Sequence, residues 1–175
     1  QKFNLIHSCT LMGQDVLKEN PYLKRIKELP TLITLSNIHR RKLLESSGIK
    51  AQWNIPWGIE GVFDSLEQQR SIDILGVGNL TQLKSFDRFL EIVFLVRKKY
   101  PNVKGLIIGE GNQKELVQKI EDLNLSENIQ IDAEKSRGEV IESMKKSKCF
   151  LHTSKFESFG MVLCEALSAG AYVYS

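Results

Sequence analysis

From residue 72 onward, two hydrophobic periods alternate along the chain. Ile72-Asp-Ile-Leu-Gly-Val77 is a short, nearly continuous apolar run, the pattern of a buried strand. Phe86–Arg97 carries apolar residues at helical spacing and stops before Pro101, which predicts a helix. Val103–Ile108 reads as a second strand closed by Gly109-Glu110-Gly111, and Lys114–Leu123 as a second helix. A short strand over Ile129–Ile131, a helix over Gly138–Lys146 and a strand over Cys149–Thr153 follow. A loop and helix over Glu157–Gly170 lead to a strand starting near Tyr172. Alternation of this kind predicts an α/β fold, a Rossmann-like parallel sheet flanked by helices. Ligands in such sheets bind beyond the carboxyl ends of the strands. The loops after Val77, Ile108, Ile131 and Thr153 should therefore share one rim.

The first sixty residues are patterned differently. Phe3–Ile6 predicts a short strand running into His7, and Leu32–Leu35 another. Ser36 suits the N-cap of a helix over Asn37–Ser46, and Gly48 its C-terminal stop. Ile55-Pro56-Trp57-Gly58-Ile59-Glu60-Gly61 then punctuates the chain before the polar stretch Asp64–Ser71. A domain boundary is expected between about 55 and 70, giving a first domain over 1–60 and a second over 61–175.

Composition changes this picture little. The 175 residues are 42% hydrophobic and 26% charged, ordinary for a globular protein. A net charge of +3 is too mild to imply nucleic-acid binding. The basic clusters Arg97-Lys98-Lys99 and Lys145-Lys146-Ser147-Lys148 close predicted helices, where cations suit the dipole; a peripheral contact with an anionic membrane stays open. No run reaches the ~18 apolar residues of a membrane span. Cys9, Cys149 and Cys164 form neither a zinc spacing nor a disulfide framework, which favours a reducing, cytoplasmic setting. The start at Gln1 and the apolar stop at Ala171–Ser175 read as cut ends of a longer protein.

Two stretches could carry chemistry. From Gly160 to the end, Glu165 is the one residue ionisable near neutral pH, and it sits in an apolar helix. Burying a carboxylate costs several kcal/mol unless a charge or hydrogen bond meets it. Either a ligand answers that need, or a buried arginine or backbone group does. Glu157 lies in the loop that opens the same helix, so the two acids straddle a helix N-terminus, a place that attracts anions. At 1.5 Å per residue, Glu165 lies roughly 9 Å along the helix from Phe159, which leaves room for a phosphate at the tip. The second stretch, Gly76-Val77-Gly78-Asn79-Leu80-Thr81-Gln82-Leu83-Lys84, combines close-approach glycines with a lysine, either for a phosphate or for a tight turn. Thr81 stands where a dinucleotide fingerprint needs its third glycine, so a dehydrogenase-like reading fails.

Taken together, these pieces resemble the retaining GT-B glycosyltransferases of family four, also called glycosyltransferase group 1. The resemblance rests on Gly78-Asn79-Leu80, Lys84-Ser85-Phe86-Asp87, Gly109-Glu110-Gly111 and Glu157-Ser158-Phe159-Gly160 with Glu165-Ala166 after four intervening residues. The family's tail reads E-G-F-G-x4-E-A, followed by a small-residue and glycine turn, matched by Ser168-Ala169-Gly170. Ile55–Glu60 is similar to the I-P-N-G-V-D stretch that enters the family's second domain.

The resemblance implies most of a C-terminal donor domain joined to the end of an acceptor-side domain. It implies transfer of a hexose from a nucleoside diphosphate sugar to a saccharide or lipid-linked hydroxyl, with retention and with neither metal nor cofactor, as in polysaccharide or glycoconjugate synthesis. Glu165 would bind ribose and Glu157 the donor sugar. The backbone N–H groups of Ser158, Phe159 and Gly160 would meet sugar and phosphate, with Gly78 and Asn79 beside the diphosphate. Lys84 would neutralise the leaving group, and His7 would reach the sugar from the first domain. Two departures stand out: Asn79 replaces a common arginine, and Ser158 a glycine. Asn79 keeps one rival in view, a nucleotide-sugar-binding module with little transfer activity; a GT-B nucleotide-sugar epimerase is another. As a fragment, residues 1–175 are expected to be nearly inactive alone.

Overall fold

The computed structural model describes residues 8–29, 31–59, 61 and 69–175. The expected Phe3–Ile6 strand, His7 and Glu60 lie outside them. The chain divides into two compact units, one comprising Gln1–Gly58 with Phe156–Gly160, the other Ile59–Lys155 with Met161–Ser175.

Among the described residues, the first unit holds a three-stranded parallel sheet in the order β1-β2-β3: β1 (Cys9–Thr10), β2 (Leu32–Thr34) and β3 (Trp53–Asn54). A 3₁₀ turn at Gly13–Val16 and a single helical turn α1 (Leu23–Ile26) connect the first two strands. Helix α2 (Asn37–Ser47) begins where the Ser36 hydroxyl accepts from the His39 N–H. It ends at Gly48, whose left-handed backbone (φ 71°) suits a residue without Cβ. Leu11, Val16, Leu32, Leu43 and Ala51 form its core.

Among the described residues, the second unit is built on a five-stranded, all-parallel sheet. Its elements run β4 (Ile72–Val77), α3 (Phe86–Lys99), β5 (Gly105–Ile108), α4 (Lys114–Asp122), β6 (Ile129–Asp132), α5 (Arg137–Lys145), β7 (Ser147–Leu151), α6 (Met161–Ser168) and β8 (Tyr172–Tyr174). The strand order is β6-β5-β4-β7-β8. The chain thus builds outward from β4 on one side, then returns to build on the other. That reversal makes a topological switch point between β4 and β7.

Helices cover both faces. Phe86, Phe89, Leu90 and Val93 of α3 pack with Ile74, Ile107, Leu125 and Ile129. A separate cluster joins Met144 of α5 and Ala166 of α6 to Leu75, Ile108 and Phe150. Element ends shift from the sequence pattern for local reasons. Strand β5 starts at Gly105, not Val103, because the Val103 N–H closes a turn on Tyr100 and the Lys104 N–H donates to the Asp73 carboxylate. Strand β7 starts two residues early, at Ser147, which pairs with Ile72.

Candidate functional site

The carboxyl ends of β4 and β5 are fused into one rim by backbone. Gly78 N–H donates to the Ile108 carbonyl at 3.0 Å and Leu80 N–H to the Glu110 carbonyl at 2.6 Å. A Cβ on Gly109 would sit 2.0 Å from the Gly78 carbonyl oxygen, so no other residue fits there without moving the loop. Gly78 itself adopts φ 150°. The Lys84 side chain lies over this glycine: its Cε, Cδ and Cγ come within 3.3, 3.4 and 3.5 Å of where a Gly78 Cβ would be. The next residue, Ser85, is buried and held at φ 50°, a region non-glycine residues seldom occupy. Its hydroxyl donates to the Gln82 carbonyl, which closes the loop into α3. Asn79 is exposed on the same loop.

Across the switch point, the segment after β7 is tied to this loop. The Thr153 hydroxyl donates to the Lys84 carbonyl and the Lys155 N–H to the Leu83 carbonyl, both at 2.8 Å. Two loops that would otherwise splay apart are thereby held in register. A cleft of about 490 Å³ opens beside them, lined among others by Thr81, Gln82, Asn112 and Lys155; neither Lys84 nor Glu165 lines it.

Glu165 occupies the second turn of α6, buried as the sequence requires, with 9% of its surface exposed. The arginine that answers its charge is Arg137, the first residue of α5. Arg137 Nε donates to Glu165 Oε1 at 3.1 Å, and Nη2 lies 3.1 Å from the same oxygen. This arginine is not buried: its side chain is 59% exposed, against 11% for the glutamate. Asp132, at the end of β6, pairs with Lys135 at 2.5 Å, and that hydrogen bond holds its carboxyl below the ordinary carboxylate range against the opposing effect of burial.

Glu157, Ser158, Phe159 and Gly160 belong by their contacts to the first unit. There Phe156 packs against the Leu11–Leu43 core, and the Ser36 hydroxyl, already capping α2, donates to the Ser158 carbonyl. Glu157 is half-buried, and Gly160 turns the chain at φ 77°. The structure thus brings Gly78 and Lys84 together, with Asn79 on their loop. It gives Glu165 a cation partner and sets the Glu157 loop in the first unit. His39, on α2, is fully buried, its Nδ1 accepting from the Leu35 N–H at 3.4 Å. His152 lies just past β7, its Nδ1 3.1 Å from the Ser175 hydroxyl. Sequence reasoning missed Arg137 and Thr153. The available signal was the Ser136-Arg-Gly-Glu139 capping box, which fixes Arg137 at the first turn of α5.

A parallel sheet whose strand order reverses between β4 and β7, with helices on both faces, is a doubly wound architecture. The chain belongs to the glycosyl transferases group 1 family, which it matches over residues 60–174. It is 35% identical over 105 residues to the amylovoran biosynthesis glycosyltransferase AmsD of Erwinia amylovora, a match covering 59% of this chain and 29% of AmsD. Over another 105 residues, also 59% of this chain, it is 29% identical to the phosphatidylinositol N-acetylglucosaminyltransferase gpi3 subunit of Schizosaccharomyces pombe, covering 23% of that protein. The matched stretch is therefore less than a third of either relative.

Among solved structures, S. aureus TarM in complex with fondaparinux, alpha-GlcNAc-glycerol and UDP superposes with a TM-score of 0.79 at 20% identity, over 95% of this chain and 36% of that one. The pneumococcal O-GlcNAc transferase GtfA in complex with UDP and GlcNAc gives 0.76 at 17% identity, over 95% and 36%. At such identities the likeness is one of fold, and the fold is that of the GT-B glycosyltransferases. Among the described residues, no helix is long and apolar enough to cross a membrane.

Proposed function

We propose that the second unit binds the donor of a retaining, metal-independent glycosyltransferase that moves a hexose from a nucleoside diphosphate sugar to a saccharide or lipid-linked hydroxyl. The observation that carries this reading is the rim itself. A lysine stem lies on a glycine whose neighbour admits no Cβ, opposite strand β7 of the switch point, in a unit that also buries a helix glutamate. In the reaction, the bond from the anomeric carbon to the diphosphate breaks and a bond to the acceptor oxygen forms. The acceptor proton passes to the departing phosphate. Negative charge grows on the leaving group, so a positioned lysine and backbone N–H donors stabilise the transition state directly. Lys84 takes that role, with Gly78 and Asn79 beside the diphosphate. Glu165 accepts from the ribose hydroxyls, Glu157 from the donor sugar, and the Ser158–Gly160 backbone faces sugar and phosphate. His7 contributes from the first domain. Glu157 is not assigned as a double-displacement nucleophile. The setting is cytoplasmic.

The test uses the full-length protein. Lys84→Ala should lower kcat by about a hundredfold, the scale of losing one transition-state donor. Glu165→Ala should raise the nucleoside diphosphate Kd by about tenfold or more, the loss of charge-assisted hydrogen bonds. Unchanged kinetics in both variants would end the assignment, and NMR of the product's anomeric configuration decides retention. A binding module with little transfer is the second reading, favoured by the neutral Asn79; tight nucleotide binding without turnover would select it.

A further inference from the structure

We propose that Arg137 is the positioning residue for Glu165: its guanidinium occupies one carboxylate oxygen and so presents the other to the ribose hydroxyls. The proposal rests on the donor-site reading above and adds a residue to it.

The geometry is asymmetric. Nε and Nη2 both reach Oε1, each at 3.1 Å. An arginine satisfying a structural carboxylate commonly forms two parallel bonds, one to each oxygen. Here both donors converge on a single oxygen, and among the described residues Oε2 accepts no hydrogen bond. A carboxylate in this position is an acceptor with capacity left over, held at one end. A ribose presents two adjacent hydroxyl donors, which the two lone pairs of Oε2 can accept together.

Both partners are anchored through backbone. The α5 start is locked by the reciprocal Ser136–Glu139 capping box, Ser136 Oγ accepting from the Glu139 N–H and Glu139 Oε2 from the Ser136 N–H. Met144 of α5 and Ala166 of α6, both fully buried, belong to one packed cluster. The two ends of the ion pair therefore come from helices locked against one sheet. Its energetic weight as an exposed surface pair would be small, because the arginine is 59% solvated. What it fixes is the direction of a carboxylate that would otherwise rotate.

The experiment is titration calorimetry on the full-length protein with UDP, GDP and ADP, then with the 2′,3′-dideoxy analogue of whichever binds best. Wild type should prefer the ribose form by about tenfold or more. Arg137→Ala should weaken that form by about tenfold, move the dideoxy form by less than about twofold, and so erase most of the preference, with kcat at saturating donor little changed. Arg137→Lys should recover part of it. If Arg137→Ala keeps the full preference while Glu165→Ala abolishes it, Glu165 binds ribose without Arg137 and the inference falls alone. Tighter binding in Arg137→Ala would make the arginine a competitor of the nucleotide, and also overturns it. If wild type binds no nucleoside diphosphate, or does not discriminate, the donor-site reading fails and takes this inference with it. Should Arg137→Ala lose its cooperative melt, Arg137→Gln and Arg137→Lys carry the same comparison.

Discussion

The two units solve the problem of buried polarity in opposite ways. In the second, the buried acid Glu165 sits on a helix flanking a five-stranded sheet and meets a solvated arginine. In the first, a small sheet paired over only two residues per strand buries an uncharged imidazole, His39, fully enclosed on α2. A charge stays usable when its partner is exposed, because a ligand can share the carboxylate without stranding the cation. An enclosed imidazole offers nothing to a ligand and makes its unit sensitive to protons. The difference separates a site from a structural feature better than burial alone, since Glu165 and His39 are both buried.

The largest effect expected is in the second unit's core. Phe89 is fully buried, edge-on to Phe86 at 6.2 Å and packed beneath Gly76 of β4. Phe89→Ala should cost about 3–5 kcal/mol, read from urea unfolding. Leu43→Ala, the matching deletion in the first unit, should cost about 2–5 kcal/mol. Nucleotide affinity should fall with the first substitution and persist with the second. The reverse result would break the assignment of nucleotide binding to the second unit.

A smaller change tests the rim. Gly109→Ala puts a Cβ 2.0 Å from the Gly78 carbonyl, so the loop carrying Lys84 must shift. The expected stability loss is about 1–3 kcal/mol, as for other overpacking substitutions. Activity should fall further than stability, because Lys84 moves with Gly78. Intact turnover in this variant would show that the fused β4–β5 rim does not position the lysine.

Much of the second unit was legible in the sequence because β4 and β5 are largely apolar runs and α3 carries a clean stripe. Ile72–Val77 and Phe86–Lys99 had no competing pattern. The first unit was less so: β1 and β3 are two residues each, too short for a period, and they exist because β2 lies between them. His39 stands in a mostly polar stretch, Asn37–Lys42, yet tertiary packing buries it. At the rim, the glycine loop and Glu165 could be read locally. Arg137 could not, since its partner is 28 positions away and nothing in either segment names the other.

His39 gives the next test. Burial lowers its pKa below 6.5, while the Met12 backbone and the Asp15 charge pull the other way. A lowered folded pKa means the unfolded chain takes up the proton first. The stabilising contribution is therefore complete above about pH 6.5 and is lost as pH falls from there through the folded value. The slope is at most about 1.4 kcal/mol per pH unit. In His39→Asn, whose amide oxygen can replace Nδ1 as acceptor for the Leu35 N–H, that slope should vanish. A slope of the same size in the variant would move the proton sensitivity elsewhere.

The smallest effect belongs at the opposite end of the second unit's sheet from the candidate site. Asp73, on β4, accepts from Lys148 Nζ at 2.6 Å and from the Lys104 N–H at 2.8 Å. Burial alone would raise its pKa, but the Lys148 hydrogen bond, the Lys104 N–H and both lysine charges outweigh it and leave the carboxyl below its ordinary value. Its contribution is thus present above about pH 4 and declines as pH falls through the folded value. Lys148 is 59% exposed, so solvent screens the pair, and Lys148→Met should cost less than about 1 kcal/mol, shrinking further in salt. Arg137 is equally exposed, and the same screening limits its share in stability. Lys148→Met should leave nucleotide affinity untouched and Arg137→Ala should not. Two ion pairs whose cations are equally solvated, at opposite ends of the sheet, then differ in function, and an equal loss of nucleotide binding in both would mean that position on the rim carries no information.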